Sequence, residues 1–162
     1  MHINVSSDEY TELVAGVLSA LRGQGHAVTY FGPGPATPAG LAENDWPVVT
    51  LQAVAPVAAG TADRAVVMCW TGTGACLVAN KVPGIRAALA HDAETARGAR
   101  RWNDANVLAL SLRATALPIA QEILAAWLST PAETDEWNRR QMARLQAIEA
   151  RFSGGEGYVG AE

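Results

Sequence analysis

The feature that most constrains the fold is an unbroken apolar run, Ala65-Val66-Val67-Met68-Cys69. A strand with one face in water alternates apolar and polar residues, whereas a strand covered on both faces is apolar throughout. Segments with the apolar spacing of a helix flank this run and alternate regularly with other short strand-like segments. Such alternation predicts an α/β fold, in which a five-stranded parallel sheet lies between two layers of helices. The predicted strands cover residues 2–6, 26–31, 65–69, 85–90 and 107–110.

Capping and breaking residues delimit the helices. Ser7 and Asp8 are both candidate caps for the first helix, and Gly23 and Gly25 end it. Residues 32–40 contain three glycines and three prolines, which favours a loop. Residues 1–152 are expected to form one domain, and residues 153–162, with four glycines, a flexible tail. The later helices are predicted at about 47–59, from the turn at 70–74 to about 81, and at about 93–101, 117–128 and 133–152.

Charge and cysteine content exclude several classes of partner. The net charge is -4 and the twelve basic residues are not gathered in one run, so no nucleic-acid surface is expected. No apolar stretch reaches the roughly 18 residues that span a bilayer. Cys69 and Cys76 lie in one short glycine-rich segment rather than at the ends of loops that a disulfide would close. The expected location is therefore the reducing cytoplasm, without membrane attachment.

The segment Cys69-Trp70-Thr71-Gly72-Thr73-Gly74 is the first candidate site. It follows a buried strand, and ligands of open parallel sheets bind at the carboxyl ends of the strands. Its glycines permit a tight turn that presents backbone N–H groups to an anion, with a thiol beside them. The spacing alone leaves two alternatives open: a reactive thiol next to an anion hole, or a buried structural cysteine before a turn. The phosphate-loop and dinucleotide-binding motifs are both absent.

Three stretches, residues 69–74, 79–88 and 103–110, together resemble the family of ribose-5-phosphate isomerase B and galactose-6-phosphate isomerase. Ser7-Asp8, Asp45-Trp46-Pro47 and the pair Arg140 and Arg144 add to this resemblance in the right order along the chain. The resemblance implies a Rossmann-like α/β/α sandwich and an enzyme without metal or cofactor. It also implies a homodimer or tetramer, in which the C-terminal helix reaches the site of a partner subunit.

The resemblance further implies roles for individual residues in an aldose–ketose isomerisation of a phosphorylated sugar. Cys69 would move the proton between C2 and C1 through a cis-enediolate, with Thr71 shuttling the hydroxyl proton and Asp8 also in the catalytic set. The backbone N–H groups of Gly72 to Gly74, with the Asn103 side chain, would face the developing negative charge. Cys76 is expected in the core, and His91-Asp92 in a structural or supporting role. Phosphate binding would fall to Arg113, Arg140 and Arg144.

Three residues depart from the family pattern inside the implied site. Glu9 and Trp102 stand where histidines are usual, and the second of those histidines opens the furanose ring of ribose 5-phosphate. Trp70 stands where glycine is common and places an aromatic ring at the mouth of the site. The substrate is therefore expected to be ribose 5-phosphate or a related tetrose or hexose phosphate; a tetrose phosphate has no furanose ring to open. The alternative is a non-catalytic sugar-phosphate-binding paralogue, or one subunit of a mixed isomerase assembly.

Overall fold

The computed structural model describes residues 1–38 and 40–153, and the predicted tail beyond Ser153 lies outside the described residues. Five parallel strands form one sheet in the order β2-β1-β3-β5-β4. The strands are β1 (His2–Ser7), β2 (Ala27–Phe31), β3 (Arg64–Cys69), β4 (Ala87–Leu89) and β5 (Val107–Ser111). The helices are α1 (Glu12–Gly23), α2 (Trp46–Ala58), α3 (Thr73–Ala79), α4 (Ala93–Asn103), α5 (Leu117–Ser129) and α6 (Glu136–Ser153).

Apolar side chains cover both faces of the sheet. Helices α1, α4 and α5 pack on one face, where Val66 and Met68 of the central strand β3 are buried. Helices α2 and α3 pack on the other, against Ala65, Val67 and Cys69 of the same strand. A strand whose alternate residues all meet a helix layer has to be apolar throughout. The predicted three-layer α/β fold is confirmed. None of the helices in the described ranges is long and apolar enough to cross a lipid bilayer.

Helix α1 begins later than expected. Thr11, not Ser7 or Asp8, is its N-cap, and the Thr11 hydroxyl accepts the N–H of Val14 at 3.4 Å. Ser7 is instead the last residue of β1, where it pairs with Met68 of β3. The predicted caps were wrong because strand pairing extends through Ser7, which leaves Asp8 in the loop between β1 and α1.

Strand β4 is shorter than its predicted range because asparagine side chains replace part of the ladder before it. The side chain of Asn106 accepts the N–H of Arg86 at 2.8 Å and donates to Gly84 O at 2.9 Å. The side chain of Asn80 likewise accepts the N–H of Ala87 and donates to Ala87 O, each at 2.9 Å. Two asparagines of the resembling stretches therefore hold the segment before β4 in place.

Candidate active site

Cys69 lies at the carboxyl end of the central strand, as predicted. It is the last residue of β3, is 5% exposed, and pairs with Ser111 of β5. On the other side of β3, Ser7 pairs with Met68, so Asp8 and Cys69 leave the sheet at neighbouring positions. The sheet therefore brings a thiol and a carboxyl group to one edge.

The residues that follow β5 hold the loop after Cys69 through backbone hydrogen bonds. The carbonyl oxygen of Cys69 accepts the N–H of Leu112 at 3.0 Å, and that of Trp70 accepts the N–H of Arg113 at 3.0 Å. These bonds hold the backbone of Arg113, one of the three predicted phosphate-binding arginines, directly against the loop of its own chain. The Trp70 ring itself is 54% exposed.

Gly72 is the residue at which the loop turns into α3. Its φ of +77° is left-handed, and a Cβ there would lie 2.7 Å from Leu89 Cδ1 and 2.9 Å from the backbone of Leu110. The turn directs the Gly72 N–H back to Cys69 O at 3.1 Å, so this predicted anion donor is used within the turn. The first intrahelical bond runs from Cys76 N–H to Gly72 O, which leaves the N–H groups of residues 73–75 as the donors at the start of α3.

Thr71 is exposed next to Cys69, and its hydroxyl shares a hydrogen bond of 2.7 Å with that of Thr73. A second threonine therefore orients the hydroxyl that the resemblance assigned to proton shuttling. Thr73 was not predicted as a side-chain participant, although the Thr-Gly-Thr repeat was a visible signal.

A cleft of about 360 Å³ opens beside this edge, beyond the carboxyl ends of β1 and β2. The indole of Trp46, the first residue of α2, closes one side of it. The ring also packs on the start of α3, since a Cβ at Gly74 would lie 3.1 Å from Trp46 Cε3. The other lining residues are Asp8, Glu9, Tyr10, Pro33, Gly34, Pro35, Thr37, Gly40, Leu41, Asn44 and Asp45.

The cleft is acidic, and its carboxyl groups affect one another. Burial is the main cause that raises the pKa of Asp8, and the nearby carboxylates of Glu9 and Asp45 raise it further. Asp8 Oδ1 is buried and has no hydrogen-bond partner among the described residues. Glu9 is exposed at the rim. This concentration of carboxyl groups makes the cleft unfavourable for an anion such as a phosphate group.

Asn103 is not near Cys69 within one chain. Asn103 ends α4, and this helix runs back from the carboxyl edge of β4 to the amino edge of β5. Asn103 lines a second pocket of about 590 Å³ there, together with Gly84, which precedes β4, and Ala87, which begins it. Within one chain, the structure therefore does not bring Asn103 to the backbone donors after Cys69. A crossover helix must return antiparallel to the strands, so the two ends of α4 lie at opposite edges of the sheet.

Arg140 and Arg144 also lie away from Cys69, on the exposed helix α6. Neither arginine forms an ion pair within the described ranges. Trp102, the residue before Asn103, is 51% exposed and folds back along its own helix, where a Cβ at Gly98 would lie 2.9 Å from its Cζ3 atom.

Two other predicted residues have structural surroundings. Cys76 lies within α3, half-buried, with its Sγ 3.6 Å from Ala87 O, and burial raises the pKa of its thiol. Asp92 caps α4 by accepting the N–H of Thr95 at 2.7 Å, and this bond lowers the pKa of Asp92. Cys76 therefore packs at the margin of the core in which it was expected, and Asp92 has a structural role of the kind expected for the His91-Asp92 pair.

A family model described as Ribose/Galactose Isomerase matches residues 3–148 of the chain. Among solved structures, ribose-5-phosphate isomerase B from Clostridium thermocellum superposes with a TM-score of 0.84 at 32% identity, covering 94% of this chain and 99% of that one. The fold and the order of its elements are therefore those of that structure.

Curated relatives with several substrates in their names are similar to the chain. Ribose-5-phosphate isomerase B of Escherichia coli is 37% identical over 107 residues, which are 66% of this chain and 71% of the relative. D-erythrulose-4-phosphate isomerase of Pectobacterium atrosepticum is 47% identical over 74 residues, which are 46% of this chain. The chain thus spans about half the length of that relative, 49%.

Proposed function

Because the chain belongs to the ribose/galactose isomerase family, we propose that it is an aldose–ketose isomerase that acts on a phosphorylated sugar. The observation that carries the proposal is the position of Cys69. Cys69 ends the central strand at the carboxyl edge of the sheet, the edge where Asp8 follows β1, and its left-handed turn to α3 requires glycine at position 72. A thiol in this setting can take a proton from a carbon bound next to the helix start.

The proposed reaction moves one hydrogen between neighbouring carbons. The thiolate of Cys69 removes the proton from C2 of the aldose, and the electron pair passes through the new C1–C2 double bond to the carbonyl oxygen O1. The Thr71 hydroxyl, oriented by Thr73, relays the O2 proton to O1 as the carbonyl forms at C2. Cys69 then returns its proton to C1, which regenerates the thiolate. Because the carbonyl oxygen accepts the electron pair, no oxidant or reductant is consumed.

The site is completed by a second copy of the chain, according to this proposal. The edge that holds Cys69 is acidic, whereas Asn103, Arg140 and Arg144 lie elsewhere on the same chain. Exposed apolar side chains, such as Leu77 at 64% and Leu51 at 50%, provide a surface that a partner would cover. Arg113 of one chain and the α6 arginines of the other would then hold the phosphate with bidentate hydrogen bonds.

Subunit mixing tests the shared site. Cys69→Ala and Arg144→Ala subunits are each expected to be inactive. Mixed dimers contain one site with neither substitution, so activity should return after subunits are exchanged. Exchange is verified separately with differently tagged chains. Verified exchange without recovered activity would show that the arginines act within their own chain or not at all.

The substrate that the site fits best is a short, acyclic sugar phosphate. Trp102 has no basic nitrogen to open a furanose ring, and its indole is folded back onto Gly98. Trp46 limits the cleft on the side of α3, and Glu9 and Asp45 make its other end unsuitable for phosphate. A tetrose phosphate needs no ring opening. The printed name of the Pectobacterium relative, a D-erythrulose-4-phosphate isomerase, supports a substrate of this class.

A panel of tetrose, pentose and hexose phosphates tests the activity and the substrate together. The purified protein should interconvert the aldose and ketose forms of a tetrose phosphate. Its kcat/KM for the tetrose phosphate should be higher than its kcat/KM for ribose 5-phosphate. The second candidate, a binding paralogue or one subunit of a mixed assembly, is favoured by the same loss of the ring-opening histidine. It would be supported if the protein bound sugar phosphates but turned over none of the panel on its own.

A further inference from the structure

The helix that carries the two arginines is held loosely along most of its length. Helix α6 has eighteen residues, about 27 Å of helix, and buries only Asn138. Its apolar residues Leu145 and Ile148 are 42% and 57% exposed, and they line the open pocket of about 590 Å³ between α6 and the segment before β4. Within one chain, hydrophobic packing therefore does not fix the far end of α6.

The near end is fixed by polar contacts. The N–H of Asn138 donates to Asp135 Oδ1 at 3.1 Å, and its side-chain amide contacts both Asp135 and Glu133. Glu133 in turn donates its N–H to Arg101 O at 2.8 Å and forms an ion pair with the Arg101 side chain at 3.5 Å. These contacts attach the first turn of α6 to the end of α4.

A hydrogen bond to the segment before β4 helps to hold the far end. Glu149 Oε1 accepts the N–H of Gly84 at 2.9 Å. Gly84 is a firm anchor, because its carbonyl oxygen accepts the side chain of Asn106 at 2.9 Å and Ile85 N–H closes a turn to Val82 O at 3.1 Å. Its φ of +81° also excludes most other residues from this position. Glu149 thereby connects the C-terminal end of α6 to the segment before β4.

Helical geometry places the two arginines of α6 far from Glu149 around the helix axis. At about 100° per residue, Arg140 lies about 180° and Arg144 about 140° around the axis from Glu149. Leu145, Ile148 and Glu149 share the face that looks at the chain's own pocket. Both arginines thus lie well away from Glu149 around the axis, although Arg144 is one turn before Ile148 and borders the face that looks at the pocket.

We propose that Glu149 is a positioning residue: by accepting the Gly84 N–H it fixes the direction in which α6 presents Arg140 and Arg144 to a phosphate group. This inference rests on the proposed phosphate-binding role of the two arginines. It adds a residue that touches neither substrate nor arginine and acts through the orientation of the helix.

Substitutions at 149 separate this role from a simple charge effect. Removing a carboxylate from the arginine helix would, by electrostatics alone, tighten phosphate binding. Loss of the hydrogen bond predicts the opposite sign. Glu149→Ala should weaken the binding of inorganic phosphate about fivefold, the effect of one hydrogen bond of ordinary strength. Glu149→Gln keeps an acceptor oxygen and should bind phosphate like the unmodified protein, whereas Glu149→Asp keeps the charge but is too short and should behave like Glu149→Ala.

The measurement is the calorimetric dissociation constant of inorganic phosphate for the full chain, with oligomeric state checked by sedimentation. The KM for the preferred sugar phosphate should rise in parallel with little change in kcat. Glu136→Ala, which removes another carboxylate from α6, is the charge control and should not weaken binding. Unchanged binding in Glu149→Ala, with weakened binding in Arg144→Ala, would overturn the positioning role alone. Unchanged binding in both variants would overturn the phosphate site as well.

Discussion

The hydroxyl of Ser111, the last residue of β5, donates a hydrogen bond of 2.9 Å to the carbonyl oxygen of Trp70. The same Oγ atom accepts the N–H of Ala114 at 3.1 Å. Ser111 is 1% exposed and pairs with Cys69 across the sheet. Together with the backbone bonds of Leu112 and Arg113, its side chain therefore holds the loop that follows the proposed catalytic cysteine.

Ser111→Ala should lower both stability and turnover. It leaves the Ala114 N–H without its partner and removes one of the two hydrogen bonds to the Trp70 carbonyl oxygen, the other being that of the Arg113 N–H. The cost is on the order of 1–2 kcal/mol in the free energy of unfolding. Chemical denaturation and kcat measure the two effects. Ser129→Ala is the matched control, because Ser129 also donates to a backbone carbonyl, Ala125 O at 2.7 Å, but at the end of α5. An equal loss of kcat in both variants would remove the special role of Ser111.

Trp46→Ala should broaden the range of substrates. The indole separates the cleft from the start of α3, so its removal creates room for a longer sugar. The ratio of kcat/KM for hexose and pentose phosphates to that for tetrose phosphates should rise by about tenfold or more, the low end of what one methylene is worth in a fitted pocket. Val48→Ala, an exposed residue in the same helix, is the control. If the ratio is unchanged in Trp46→Ala, the Trp46 indole does not select the length of the sugar.

The fold was predictable from sequence because continuous apolar runs mark its buried strands and helical apolar spacing marks its helices. The apolar run that became β3 identified a strand covered on both faces, and the glycines after it marked the turn to α3. The cap of α1 was not predictable in the same way. Ser7, Asp8 and Thr11 can all cap a helix, and only the pairing of Ser7 with Met68 assigns Ser7 to the strand.

The sequence nominated residues for the candidate site but could not give their spatial arrangement. Ser111 was missed because the order of strands, which makes β5 the neighbour of β3, is not written in the local pattern. Asn103 was placed with Cys69 because resemblance transfers roles along one chain without stating which copy supplies each group. The use of the Gly72 N–H within the turn depends on its left-handed φ, which spacing does not reveal.

Trp102→His should improve ribose 5-phosphate turnover more than tetrose phosphate turnover, because only the pentose must open its ring before C2 becomes acidic. The smaller histidine ring no longer covers Gly98, which the Trp102 indole packs against. Gly98→Ala can therefore be added to restore packing on α4. Steady-state kcat/KM for both substrates measures the effect. Efficient ribose 5-phosphate turnover by the unmodified protein, and its loss on Trp102→His, would contradict the proposed adaptation to an acyclic substrate.

Asp8 should make stability depend on pH in a direction unusual for a carboxyl group. Its folded-state pKa is raised above the ordinary 3.8, chiefly by burial, so the folded state favours the protonated form. The contribution of Asp8 is therefore fully present below the unfolded pKa and is lost as pH rises through the folded pKa. The Tm difference between Asp8→Asn and the unmodified protein should grow in favour of Asn from about pH 3.8 towards neutrality. Asp92→Asn, where the pKa is lowered, should give the opposite trend.

The most direct test of the account is the exchange of the substrate C2 hydrogen with solvent, followed by NMR in deuterium oxide with the purified protein alone. The unmodified protein should incorporate deuterium into a sugar phosphate during isomerisation. Cys69→Ala should remain folded and lower the exchange rate by at least about 10²-fold, the lower end expected for loss of a general base. Cys76→Ala should exchange at nearly the rate of the unmodified protein. Equal and small effects of the two cysteine substitutions would show that Cys69 does not move the proton.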